Sequence, residues 1–160
     1  MRSLVVYSSQ TGNTRKLAET VYKALTGEKE IFPISDAPDP SDWDFIAMGF
    51  WLKAGKPDPM SLEYLPRIKG KSLFLFATHG AAAGSEHALN AMNYAKELAF
   101  EAKVVGSYSC QGEVDPKIIE HAQAKPEPPI WIADAPVAVG HPNETDIEEL
   151  KSLIVSLTAV

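Results

Sequence analysis

The chain has 160 residues, enough for one domain whose core needs no disulfide or metal staple. Its formal charge of −6 argues against nucleic acid, which selects a basic surface, and its one cysteine, Cys110, excludes an intrachain disulfide and any multi-thiolate metal site. No apolar run reaches the length of a membrane span, and Met1-Arg2-Ser3 runs into Leu4-Val5-Val6-Tyr7, too short for a signal-peptide core, so the expected location is cytoplasmic.

Residues 3–8 are a continuous apolar, β-branched run, the pattern of a strand covered on both faces. Gly12-Asn13 breaks it, and Leu17, Val21 and Leu25 then recur at helical spacing, with Gly27 as the stop. Glu30 to Ile34 reads as a second strand, Asp44 to Gly49 as a third and Ser72 to Ala77 as a fourth. Residues 86–100 read as a helix capped by Ser85, with Ala88, Met92, Ala95 and Ala99 on one face. Lys103 to Ser109 is a fifth strand. A last helix starts near Asn143 and carries Ile147, Leu150, Ile154 and Leu157 on one side.

Strict alternation of strand and helix implies a parallel sheet with helices on both faces, because parallel strands need crossover connections. Two stretches interrupt the pattern. Residues 51–70 hold Gly55, Pro57, Pro59, Pro66 and Gly70 and are expected to be mostly loop, with at most one helical turn. Residues 111–142 contain six prolines around one short helix at 116–124. This irregular insert is expected to be ordered, since Ile130, Trp131, Ile132 and Val137 are costly to leave in water. Pro136-Val137-Ala138-Val139 is a candidate continuation of a split fifth strand.

In open α/β sheets, ligands bind at the carboxyl ends of the strands. The first such loop, Ser9-Gln10-Thr11-Gly12-Asn13-Thr14, supplies three hydroxyls within six residues, a glycine for close approach and an immediate helix start. A helix N-terminus offers unpaired N–H groups and partial positive charge, which together hold an anion. No Lys or Arg precedes Arg15, so a phosphate there is held by hydrogen bonds alone. A Walker loop, a three-glycine dinucleotide fingerprint and a cysteine-phosphatase loop all fail by residue. Ordinary helix-start turn chemistry is the competing reading of the same residues.

This loop, directly after Leu4-Val5-Val6-Tyr7-Ser8, resembles the phosphate loop of the flavodoxin family, S/T-x-T-G-x-T after a first strand, and the element order of the remaining chain agrees. The resemblance implies a single flavodoxin-like domain over residues 1–160, with the Pro-rich insert near 111–142. It implies a three-layer, doubly wound α/β fold with a five-stranded parallel sheet in the order 2-1-3-4-5, and one non-covalent FMN. It places the phosphate on Ser9, Gln10, Thr11, Gly12, Asn13 and Thr14. The ring then lies between the loop after strand three, with Phe50, Trp51, Leu52, Lys53 and Gly55, and the loop after strand four, with Thr78, His79, Gly80 and Gly84.

Trp51 is the candidate for ring stacking, with a core tryptophan as the other reading. The loop after strand four holds no aromatic residue, so one flavin face is expected to be open and the site wet. His79 is a candidate hydrogen-bonding partner of the flavin, or a loop histidine facing solvent. His87, His121 and His141 are assigned no role, and no metal site is expected. Lys53 and Lys56 are candidates to neutralise the reduced flavin, and Gly55, ahead of Gly49, is the candidate to turn its peptide toward reduced N5. Cys110 is expected to be a buried, inert thiol.

The resemblance further implies an electron carrier that shuttles between redox partner proteins, a reductase and an acceptor, with no catalytic residue of its own. A flavin-dependent reductase of quinones or similar small acceptors, and a flavodoxin-like accessory subunit of a redox enzyme, are the alternatives. No nucleic-acid or membrane partner is expected.

Overall fold

A computed structural model describes residues 1–159. The first strand, β1 (Arg2–Tyr7), lies between β2 (Glu28–Pro33) and β3 (Phe45–Lys53), and the sheet continues through β5 (Ser72–His79) to β6 (Lys103–Gln111). All these pairs are parallel, so the five long strands stand in the expected order 2-1-3-4-5, with β5 and β6 as the fourth and fifth. The two-residue strand β4 (Lys56–Pro57) pairs only with β3, antiparallel. It was not foreseen in the sequence, because two residues carry no readable period.

Side-chain alternation divides the core into two layers. Leu4, Val6, Ile46, Met48, Phe50, Leu73 and Leu75 point to one face. There they meet α2 (Pro59–Tyr64) and α3 (Glu86–Leu98) through Tyr64, Met92 and Ala95. Val5, Phe45, Ala47, Phe74 and Phe76 point to the other face, against α1 (Asn13–Ala24) and α5 (Glu144–Thr158) through Leu17, Val21, Leu150 and Ile154. The middle stretches of the central strands, Leu4–Val6, Phe45–Met48 and Leu73–Ala77, are therefore apolar throughout, because neither face is left to water. Gly49 is glycine for a steric reason: a Cβ there would lie 2.1 Å from Cε2 of Phe76.

The stretch 51–70 is more ordered than its prolines and glycines suggested. β3 runs on to Lys53, turns through Ala54 (φ 52°) and Gly55 (φ 77°), and returns as β4. Positive φ at both central residues is the turn whose twist matches a hairpin. Asp58 then caps α2, its carboxylate accepting from the Ser61 N–H.

Residues 112–142 form an excursion beyond the carboxyl end of β6, holding α4 (Pro116–Gln123) and a short 3₁₀ helix at Ile130–Asp134. The split-strand expectation fails: Pro136 to Val139 lie in turns. Val137 and Val139, two residues apart, mimic a strand period, but among the described residues no strand pairs with them. The excursion closes on itself where the Glu113 N–H donates to the His141 carbonyl at 2.8 Å. α5 begins at once, with Asn143 and Asp146 as a reciprocal capping box.

Candidate functional site

The loops after β1, β3 and β5 and the 112–142 excursion enclose a cleft of about 570 Å³ at the carboxyl edge of the sheet. That is the size range of a pocket for one cofactor-sized ligand.

At one end stands the start of α1. Its N-cap is Gly12 at φ 97°, and no side chain caps the helix. The N–H groups of the first turn are thus left for whatever occupies the cleft. Ser9, Gln10, Thr11, Asn13 and Thr14 line this end. Gly12 does not itself line it, since its N–H turns back to the Ser9 hydroxyl at 3.1 Å. Thr14 is almost wholly buried, and its hydroxyl is 2.8 Å from that of Thr78 on β5.

The β3–β4 hairpin forms one wall, where Trp51, Leu52, Lys53, Ala54 and Gly55 line the cleft. Phe50, the residue before, is fully buried in the core, because the strand's alternation turns its ring inward. A buried carboxylate fixes this wall. Asp58 is 1% exposed and accepts from the hydroxyls of Ser8 at 2.8 Å and Ser61 at 2.9 Å. Its own N–H donates to the Trp51 carbonyl at 3.0 Å. One residue, through its carboxylate and its backbone N–H, therefore ties the end of β1 to the strand segment that carries Trp51.

The floor is the end of β5, with Thr78, His79 and Gly80. His79 is 5% exposed, and its Nδ1 lies 2.8 Å from the Ala81 carbonyl. A carbonyl only accepts, so Nδ1 carries the proton, and Nε2 is a buried lone pair without a partner. Burial lowers the pKa of the ring, opposed by the Ala81 hydrogen bond and aided by His87 nearby. His79 is thus a neutral group beneath the cleft. Gly84 lies beyond, in the turn before α3, and does not line the cleft. Lys56 does not line it either: its Nζ sits 5.0 Å from the centre of the Tyr94 ring.

The second wall belongs to the excursion and corrects the expectation of a single aromatic. Trp131 lines the cleft and packs onto Gly80, where an added Cβ would lie 3.2 Å from its ring. The loop after the fourth long strand has no aromatic of its own, and the excursion supplies one from some fifty residues away. His87 and His121, given no role above, also line the cleft. His87 packs against the hairpin turn, its Cε1 3.3 Å from where a Cβ of Gly55 would be. The apolar group Ile130, Trp131 and Ile132 in a proline-rich stretch was the sequence signal that this segment is ordered. Cys110 is 3% exposed in the core, where burial pushes its thiol up, so it is inert as expected. Among the described residues no group of three or more His, Cys, Asp or Glu could hold a metal ion, and no helix is long and apolar enough to cross a membrane.

A family model described as flavodoxin domain matches residues 4–155. The chain belongs to the flavodoxin domain family. Among the relatives of this flavodoxin-domain protein is the flavodoxin-like domain-containing protein BilS of Clostridioides difficile (strain CD3). It is 33% identical over 130 residues, which cover 78% of this chain and 72% of the relative. Among solved structures, oxidised Flavodoxin 2 from Bacillus cereus superposes with a TM-score of 0.66 at 16% identity, covering 98% of this chain and 97% of that one. A flavoprotein from Lactobacillus acidophilus NCFM, solved in complex with FMN, superposes with a TM-score of 0.54 at 18% identity, covering 68% of this chain and 92% of the other. These two likenesses concern the fold.

Proposed function

We propose that this flavodoxin-domain protein binds one FMN in the cleft and carries electrons between redox partner proteins. The observation that carries the reading is the uncapped start of α1, opening on a cleft with a tryptophan on each flanking wall. Free helical N–H groups and the hydroxyls of Ser9 and Thr11 suit a phosphate that no lysine or arginine of the loop meets. Two indoles and a small-residue floor suit a flat ring system. The family, and the FMN held by the Lactobacillus flavoprotein, support the same cofactor.

In this reading Ser9, Gln10, Thr11, Gly12, Asn13 and Thr14 hold the phosphate end. Trp51, Leu52, Lys53 and Gly55 meet one side of the ring, with Phe50 supporting them from the core. Thr78, His79 and Gly80 meet its polar edge, with Gly84 shaping the turn behind. FMN supplies reversible one- and two-electron chemistry when bound. The protein's residues orient it, exclude water from it and bring Lys53 near its negative charge. The partners are a reductase and an acceptor protein.

The test is equilibrium binding of FMN and of riboflavin, followed by flavin fluorescence and visible absorption. FMN should bind at least about a hundredfold more tightly than riboflavin, since charge-assisted hydrogen bonds to a phosphate contribute more than about 2.7 kcal/mol in sum. Equal affinity, or no binding of either, overturns the reading.

A further inference from the structure

We propose that Asp134 is a positioning residue: it clamps the loop after β5 so that the backbone at the cleft floor offers N–H donors rather than free carbonyl oxygens. This deepens the reading above by naming what tunes the bound ring, and it rests on FMN being bound.

Backbone polar groups in a closed loop must find partners, and the four carbonyls from His79 to Ala82 already have theirs. The Gly112 N–H donates to the His79 carbonyl at 2.9 Å, and the Ser85 N–H donates to that of Ala82 at 3.1 Å. The Gln111 side-chain amide donates to the Gly80 carbonyl at 3.3 Å, and the His79 ring donates to that of Ala81 at 2.8 Å. The Ala82 N–H in turn donates to the Asp134 carboxylate at 2.8 Å. The Gly80 N–H, in a residue that lines the cleft, has no protein acceptor among the described residues. It is left for the occupant of the cleft. The other unpartnered atom of the floor, Nε2 of His79, is shut away from water.

Neither Asp134 nor Gln111 lines the cleft, so both act on the ring through the loop. Asp134 also ends the 3₁₀ helix that carries Trp131, and its carbonyl lies 3.5 Å from the Gln111 amide nitrogen. One short helix of the excursion thus holds the floor and the second wall at a set separation. A flavin that has gained electrons carries more negative charge on its pyrimidine edge than the oxidised ring does. A preorganised N–H donor there stabilises the reduced ring more than the oxidised one, and a carbonyl oxygen turned to the same place does the reverse. The clamp therefore favours reduced FMN. The charge of Asp134 opposes it, so the two effects of this carboxylate have opposite signs and can be separated.

The experiment compares Asp134→Ala with Asp134→Asn in the FMN-loaded protein. Asparagine keeps an oxygen for the Ala82 N–H and removes the charge, whereas alanine removes both. The readout is the ratio of affinities for reduced and oxidised FMN, taken from the midpoint potential of bound against free FMN. A wall loosened at Trp131 weakens both forms alike and leaves this ratio unchanged. Asp134→Ala should lower the ratio about tenfold, the worth of one hydrogen bond to a charged group, while Asp134→Asn keeps it at or above the wild-type value. Gln111→Met, which frees the Gly80 carbonyl, should lower it as well. An unchanged ratio in Asp134→Ala, or an equal rise in both Asp134 variants from loss of charge alone, overturns the proposal. Amide hydrogen exchange at Ala82 in the FMN-free protein is the second measurement. Faster exchange in Asp134→Ala and wild-type exchange in Asp134→Asn are expected, and wild-type exchange in both overturns the clamp whatever the flavin does. A wild-type protein that binds no FMN, with Ala82 exchanging as expected, overturns the reading above and the tuning that rests on it, while the clamp stands.

Discussion

The side-chain amide of Asn13 donates to the backbone carbonyl of Glu113 at 2.9 Å, joining the first residue of α1 to the root of the excursion that walls the cleft. The contact is close enough to dictate sequence on the other side. A Cβ on Gly112 would lie 2.6 Å from the same amide nitrogen. Asn13→Ala should therefore loosen residues 112–131 and cost about 1 kcal/mol of stability. Hydrogen exchange checks it: faster exchange in α4 with little change in β1 or β3 is the expected outcome, and uniform protection would refute the tether.

Asp58 holds two segments together from inside the protein, and its loss should be felt at both. Asp58→Ala leaves the hydroxyls of Ser8 and Ser61 without their acceptor and removes the cap of α2. The expected cost is about 3 kcal/mol in urea unfolding, while the backbone N–H of residue 58 still donates to the Trp51 carbonyl. Ser61→Ala removes only one partner and should cost about 1 kcal/mol. Equal costs for the two variants would contradict this account.

The depressed pKa of His79 makes stability depend on pH in a stated direction. The folded protein resists protonating this ring, while the unfolded chain takes its proton near pH 6.5. The contribution is fully present above that pH. It is lost as pH falls below it, at up to about 1.4 kcal/mol per unit, until the folded pKa is reached. His79→Gln should flatten the stability profile below about pH 6.5 relative to the wild-type protein. Parallel profiles would place the pH dependence elsewhere.

Gly49 lies under the Phe76 ring, and the pair leaves no room for a methyl group. Gly49→Ala should destabilise the protein by about 3 kcal/mol or more, because the ring cannot leave the closed layer between sheet and α1. Gly49→Ala combined with Phe76→Leu should recover part of that loss. Thermal unfolding of the single and double variants decides it.

The sheet was legible because its strands are buried on both faces, so Leu4-Val5-Val6 and Leu73-Phe74-Leu75 read as unbroken apolar runs whichever helix covers them. The Ser9–Thr14 loop was legible because helix starts restrict residue choice. The hairpin at Ala54-Gly55 was not: its strands are too short for a period, and alanine gives no hint of a positive φ. The second wall escaped for another reason. Trp131 reaches Gly80 through tertiary packing between segments far apart in sequence, and no local pattern records such a contact. The same holds for His87 and His121, whose neighbours in sequence say nothing of the cleft they share.

The hydrogen bond from Glu113 to His141 has an architectural consequence. The excursion leaves the sheet and comes back at a single point, like a bag drawn shut at its neck. Closing a flexible loop costs little more when the loop is long, so residues 114–140 add to the framework without asking it to rearrange. The neck is narrow enough for a two-residue turn to span it. The wall of the cleft is a cassette hung from one neck, and what it presents to the cleft is set by residues the sheet does not contain.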